Sequence, residues 1–204
     1  DITPSTNRLE ASGRARHDGP GMDTPILRLA SERDAPALAR IYAPSVIHTA
    51  TSFETVPPGP AEMLARLRAV LSFTPWLVCE RAGEVLGYAY ASRHREREAY
   101  RWSIDASVYV DARHRRHGVA TALYTSLFAL VRLQGFCAVH AGITLPNPPS
   151  VALHESFGFR AVGIYAAVGF KLGAWHDVGW WQLALRDRAE QQARAQLRLA
   201  QHAR

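Results

Sequence analysis

The stretch Val108-Tyr109-Val110-Asp111-Ala112-Arg113-His114-Arg115-Arg116-His117-Gly118-Val119-Ala120 decides how the rest of the chain is read. It begins as the end of a β-branched strand, passes through a turn crowded with cationic donors, and opens a helix on a glycine and small residues. Backbone N–H groups at such a helix start converge on one spot, where the positive end of the helix dipole also lies. That is a cradle for a pyrophosphate, and Gly118 and Ala120 leave the backbone uncovered for its approach. The spacing fits neither the Walker A loop nor the dinucleotide glycine fingerprint. Alone, Arg-x-x-Gly-x-Ala is also what an ordinary capped surface turn looks like, so the flanking elements must decide.

Downstream, Leu123, Leu127, Leu130 and Val131 recur at helical spacing, and Gln134-Gly135 closes that helix. Residues 136–142 read as a buried strand. Asn147-Pro148-Pro149-Ser150 opens a further helix that ends at Gly158-Phe159, and the last strands are expected over 162–164 and 178–185. Upstream, residues 76–80 and 85–91 form a hairpin across Arg81-Ala82-Gly83-Glu84. A polar, arginine-rich loop over 92–98 leads into the long strand that ends at Val110. Earlier, Ile26-Leu27-Arg28-Leu29 is a strand, and Ser31 with Asp34 resembles a capping box ahead of Pro36. Leu38, Ile41 and Tyr42 give that helix its apolar face until Pro44, which is expected to stop it. A second helix carries Met63, Leu64, Leu67 and Leu71. The order is β-α-α-β-β-β-α-β-α-β-β, a mixed α/β (α+β) domain, and fold class alone does not give function.

A length of 204 residues suffices for one domain with a proper core, and a hydrophobic fraction of 48% is ordinary for a globular chain. The expected division is a flexible extension over 1–21, with the folded unit starting near Met22, a single domain over 22–186, and a basic, helical tail over 187–204. Cys79 and Cys137 lie in apolar, strand-like runs and read as buried, reduced thiols. No apolar stretch approaches the roughly 20 residues of a membrane span, and the N-terminus lacks the apolar core of a signal peptide, so a cytoplasmic protein is expected. Half of the net charge of +6 sits after Leu185, where five arginines face Asp187 and Glu190. The remaining cations are mixed with acids, and Lys171 is the only lysine. Nucleic acid is therefore not expected as a partner.

The turn at 115–120 is similar to the R/Q-x-x-G-x-G/A motif of the GNAT acetyltransferase superfamily, and the element order from Ile26 to Leu185 matches its fold, a central mixed sheet flanked by helices. More narrowly, the chain resembles the phosphinothricin N-acetyltransferases. The resembling stretches are Thr51-Ser52-Phe53-Glu54, Tyr100-Arg101-Trp102, Ser107-Val108-Tyr109-Val110, Leu145-Pro146-Asn147-Pro148-Pro149-Ser150, Leu153-His154-Glu155 and Gly173-Ala174-Trp175-His176-Asp177-Val178-Gly179-Trp180-Trp181.

The resemblance implies acetyl-CoA as co-substrate and no metal. It places the cofactor on Val108, Tyr109, Val110, Arg115, Arg116, His117, Gly118, Val119 and Ala120, with Asn147 and Ser150 beside it. The strand ending at Val110 is expected to splay from the strand over 136–142, so that the pantetheine arm pairs with backbone and an N–H near Val108 stabilises the oxyanion. Asp105 stands where the subfamily has a glutamate as general base, one methylene longer. His154 stands where many relatives place the acid for the leaving thiolate; its alternative is a histidine that packs or bonds to backbone. Asn147 either contacts the pantetheine arm or caps its helix. Phe53, Glu54, Arg97 and Tyr100 are the expected acceptor contacts, with Arg93 and Arg95 in the same loop, because an anionic acceptor calls for arginine. Trp175, His176 and Asp177 read as packing or a dimer contact rather than a metal site, and a homodimer is implied. The leading function is acetylation of the α-amine of phosphinothricin, methionine sulfoximine or a related small amino acid. A polyamine, aminoglycoside or protein N-terminus as acceptor, and a non-catalytic acyl-CoA-binding module, are the alternatives.

Overall fold

The structure, a computed structural model, describes residues 24–202. The extension expected over 1–21 lies outside the described residues. The elements are β1 (Ile26–Leu29), α1 (Ala35–His48), α2 (Pro60–Leu71), β2 (Trp76–Arg81), β3 (Glu84–Arg93), β4 (Ser103–Val110), α3 (Val119–Gln134), β5 (Ala138–Leu145), α4 (Pro148–Ser156), β6 (Arg160–Lys171), β7 (Ala174–Ala184) and α5 (Arg188–His202). The expected order is therefore observed, with the tail adding α5. The seven strands form one sheet in the order β1-β2-β3-β4-β5-β7-β6.

Alternation along the strands sorts side chains onto two layers. Leu123, Leu127 and Val131 of α3, spaced four apart on one stripe, bury against Ala89, Ile104, Val139 and Trp181. On the opposite face, Leu38 and Val46 of α1 and Leu67 of α2 cover Val78, Tyr88 and the stacked pair Trp76–Tyr90. Cys79 and Cys137 are buried free thiols, one in β2 and one just before β5.

β4 and β5 form the single parallel pair, joined by the crossover through α3, and they are paired only from Ser103–Ala138 to Asp105–His140. Beyond that rung β4 stays with β3 as far as Val110, and β5 stays with β7 as far as Leu145. The sheet therefore opens into a V with Asp105 at its vertex. The expected splay is thus present, and its direction of hydrogen bonding can be derived. Asp111 N–H donates to the Leu86 carbonyl and His94 N–H to the Ser103 carbonyl, so odd-numbered residues of β4 bond to β3. Backbone groups alternate along a strand, so those of Ala106, Val108 and Val110 point into the slot.

Two sequence expectations need correction. Pro44 does not stop α1, which runs on to His48. A proline removes one N–H, and here the missing bond falls within the last turns, where the helix tolerates it. The last two strands are far longer than expected and form a hairpin closed by Leu172-Gly173. Their β character was hidden by Gly163, Gly169 and a register shift between Tyr165 and Gly169, where Ala167 N–H donates to the Asp177 carboxylate instead of the ladder. After β7, Arg186 donates to the Arg132 carbonyl at the end of α3, and Gln191 to the Arg186 carbonyl.

Lys171 ties this hairpin to the first layer. Its ammonium is buried and donates to the carbonyls of Val46 and Ser52 at 2.6 and 2.5 Å. The loop it holds carries Phe53, whose ring lies over Gly169 so closely that a Cβ there would collide with it. Lys171→Met keeps the bulk and deletes both bonds, leaving two carbonyls unpaired. It should lower stability by about 1–3 kcal/mol in a thermal or urea unfolding experiment; an unchanged midpoint would show that the ammonium holds nothing.

Candidate active site

The V opens onto a cavity of about 860 Å³. Its walls are the end of β4 (Val108, Tyr109, Val110), the start of α3 (Val119, Ala120, Thr121), the start of α4 (Asn147, Ser150) and the C-terminal turns of α1. Arg115, Arg116 and Gly118 line the end next to α3. His117, expected with them, is not among the lining residues and is exposed.

The turn before α3 is built to present backbone. Asp111 is buried, accepts from Arg113 N–H at 3.0 Å, and holds the guanidinium groups of Arg113 and Arg40. Its carboxyl is held well below the usual range, chiefly by the Arg113 side chain, so it stays ionised and anchors the turn. Arg116 sits at φ +64° and Gly118 at φ +77°. Left-handed backbone at a non-glycine residue is strained and persists where the surroundings impose it. Alternation of left-handed and ordinary residues folds successive N–H groups into an anion-binding nest at the dipole-positive start of α3. A Cβ on Gly118 would meet nothing within 4 Å, so this position needs glycine for its φ and not for space.

At α4, Asn147 caps the helix by accepting from Ser150 N–H at 3.3 Å, and it also lines the cavity. His154 departs from its expected catalytic place. Its ring is 4% exposed among Tyr124, Phe157 and Phe159, it lies outside the cavity lining, and Nδ1 is 2.7 Å from the Ser150 carbonyl. A carbonyl can only accept, so Nδ1 carries the proton and Nε2 takes the Tyr124 hydroxyl at 3.2 Å. Burial lowers the affinity of this imidazole for a proton. These are the contacts that the packing alternative describes.

At the vertex, Asp105 does not stand alone. Register puts His140 directly opposite on β5 and Ser92 opposite on β3, with His94 two residues further on the same face. His94 Nδ1 lies 2.6 Å from Asp105 Oδ1, and the His94 and His140 rings stack at 4.1 Å. Burial pushes the Asp105 carboxyl up, while His94 and Arg95 pull it back. Burial, then the charges of His94 and Arg95, keep His140 below its ordinary value, and a backbone contact at Ile104 offsets part of this. Sequence reading missed His94 and His140; alternation within 92–94 and 138–140 held the only signal, and it needed the β4–β5 register to be read.

The expected acceptor contacts are less concentrated. Glu54 is engaged by both Arg66 nitrogens at 2.7 and 2.9 Å and by the Tyr42 hydroxyl at 2.8 Å. Phe53 packs on Gly169 and His176. Arg97 is exposed at the start of a 3-10 turn, whereas Arg95 leans over Trp180 beside the vertex. Tyr100 is 43% exposed with its ring edge-on to His94 at 6.0 Å. His176 and Asp177 serve the hairpin, bonding to the Lys171 carbonyl and the Ala167 N–H, while Trp175 is exposed.

The profile of the acetyltransferase (GNAT) family matches residues 45–159. The chain belongs to that family. A phosphinothricin N-acetyltransferase of Streptomyces viridochromogenes is 42% identical over 156 residues, covering 76% of this chain and 85% of the relative. An L-methionine sulfoximine/L-methionine sulfone acetyltransferase of Salmonella typhimurium is 33% identical and covers 80% of this chain and 96% of its own. Among solved structures, a GNAT phosphinothricin acetyltransferase from Sinorhizobium meliloti in complex with acetyl-CoA superposes with a TM-score of 0.76 at 36% identity, covering 79% of this chain and 88% of that one. As a GNAT protein the chain is an N-acetyltransferase, and the β4–β5 slot and the nest before α3 are where its family chemistry is to be sought. Among the described residues no helix is long and apolar enough to cross a membrane.

The buried His154 and the half-buried His140 carry a pH consequence for this GNAT domain. His140 and His154 bind protons more weakly folded than unfolded. Stability is then full above the unfolded value of about 6.5 and falls as pH drops below it, because the unfolded chain takes up protons that the folded one refuses. The melting temperature should decline between about pH 7 and pH 5, and His154→Gln should flatten part of that slope. A slope unchanged in the variant would contradict the assignment.

Proposed function

We propose that the chain transfers the acetyl group of acetyl-CoA to the α-amino group of a small anionic amino acid of the phosphinothricin or methionine sulfoximine type, by direct attack of the amine on the thioester. The observation that carries this is the V between β4 and β5, with an anion nest at its open end and a carboxylate at its vertex. The nest formed by 115–118 takes the pyrophosphate. The slot-facing backbone of Val108 and Val110 pairs with the pantetheine arm, and the Val108 N–H donates to the thioester oxygen as it becomes an oxyanion. The ammonium proton leaves to a base at the vertex, where Asp105 stands, and the neutral amine then attacks. His154 supports α4 from behind.

Arginine at the mouth supports an anionic acceptor, with Arg95 nearest the vertex and Arg97 further out. A second acceptor class has an observation of its own. A smaller cavity of about 290 Å³, lined by Tyr42, Trp76, Tyr88, Tyr90 and Ser92, adjoins the vertex, and its Arg66 is already paired with Glu54 and Glu62. That cavity suits an uncharged or aromatic amino-acid side chain. We place the reaction in the cytoplasm and the protein in a homodimer. The apolar residues left exposed on β6 and β7, among them Ile164, Val168, Phe170 and Trp175, support the dimer.

Two measurements test the reading. Acetyl-CoA should raise the melting temperature, since it binds the native state alone, and Gly118→Val should remove most of that shift by forcing the turn out of its left-handed geometry. An undiminished shift in a folded variant would overturn the nest. Thiol release from acetyl-CoA against a panel of amino acids and analogues should find an anionic acceptor first. In that assay Asp105→Asn should lose about 10²- to 10⁴-fold in turnover, with partial recovery at high pH. A loss of a few-fold or less, with an unmoved pH profile, would return Asp105 to a passive role.

A further inference from the structure

Asp105 is rooted in a central strand, has the shortest carboxylate arm available, and already spends one oxygen on His94. With Asp105 ionised, the 2.6 Å contact puts a proton on His94 Nδ1, and in the neutral imidazole Nε2 then carries a lone pair. That nitrogen has no hydrogen-bond partner among the described residues. The ring stands just beyond the end of β3, stacked on His140, with Tyr100 and Trp180 edge-on at 6.0 Å. Its side chain is 13% exposed.

We propose that His94 and Asp105 act as one base: Asp105 orients the imidazole through its Nδ1–H, and His94 Nε2 takes the proton of the incoming ammonium group. This rests on the reading that the chain acetylates an amine at the vertex of the V. The ammonium proton passes to Nε2. The amine nitrogen bonds to the acetyl carbon, the carbon–sulfur bond breaks, and a second amine proton leaves with sulfur as the CoA thiol. His94 then returns its proton to water, so one proton is released per turnover.

The groups facing His94 are consistent with a single positive charge there. Asp105 on β4 compensates it. His140 on β5, held below its ordinary proton affinity chiefly by burial, offers a polarisable face, and Arg95 on the loop lies over Trp180 beside the vertex, where its charge also acts on Asp105. His94, Asp105 and His140 also bring ligand atoms within 4.8 Å of one another. Their geometry speaks for a relay instead. The two rings lie only 18° from parallel, and imidazole lone pairs lie in the ring plane, so as placed they do not converge on an ion about 2 Å from each nitrogen.

The test compares wild type, His94→Phe, Asp105→Asn and the double variant, with acetyl-CoA and either phosphinothricin or methionine sulfone, from pH 5.5 to 9.5. Phenylalanine keeps the stack on His140 and deletes the proton acceptor. His94→Phe should lose about 100-fold in kcat/KM near neutrality, with its acidic limb moved to higher pH and acetyl-CoA affinity unchanged. The double variant should be no worse than the poorer single one, because the two residues form one device. A His94→Phe profile within about three-fold of wild type, or one lowered equally at every pH, overturns the proposal. Imidazole nitrogen spectra of the substrate-free enzyme give a second, independent reading: His94 should be protonated at Nδ1 in wild type and lose that preference in Asp105→Asn. A His94 protonated at Nε2 overturns the dyad. Should wild type acetylate neither amine, it is the proposed function that fails, and these spectra alone decide whether the dyad exists.

Discussion

The site depends on a conflict of hydrogen-bonding loyalties in the middle of the sheet. β4 is committed to β3 along its whole length, and β5 to β7, yet the two are paired with each other over three rungs only. The halves of the sheet then part, and slot-facing backbone groups of β4 are left to face an opening. In a sheet interior such an edge would be a liability. Here α1, α3 and α4 wall it into a cavity, so the edge is reserved for an extended ligand, a use of backbone pairing that peptide-binding proteins share.

Two further features follow from that split. α3 must begin where β4 ends, so its dipole-positive terminus and the turn at 115–118 stand at the open end of the V. The vertex, by contrast, is the last place where three strands remain in register. Ser92, Asp105 and His140 face one side there, and His94 folds back over them from the strand end. The Asp105 carboxylate and the turn at 115–118 are therefore separated along one slot. Buried charge is kept compensated throughout: Asp111 by two arginines, Glu54 by Arg66, Lys171 by two carbonyls.

Much of this was legible in the residues. Helical spacing placed α3, the Ala82-Gly83 turn placed the β2–β3 hairpin, and the turn at Gly118 located the nest. What could not be read has physical causes. His94 and His140 are 46 positions apart and meet only through the parallel β4–β5 register, which leaves no local periodicity. The long β6–β7 hairpin was masked by glycines and a bulge that break alternation. His154 was assigned by position in a motif, whereas its burial among Tyr124, Phe157 and Phe159 depends on how α4 rolls against α3. Pro44 misled because a missing N–H costs little so near a helix end.

The central claim is that the V between β4 and β5 receives the acyl carrier by backbone pairing. Amide hydrogen exchange of the uniformly labelled protein, with and without acetyl-CoA, addresses it residue by residue. The amides of Val108 and Val110, which point into the slot, should slow by at least about ten-fold when the cofactor is added. Those of Ser107 and Tyr109, already bonded to β3, should change far less. Uniform protection along β4, or none at Val108 and Val110 under saturating acetyl-CoA, would contradict the account.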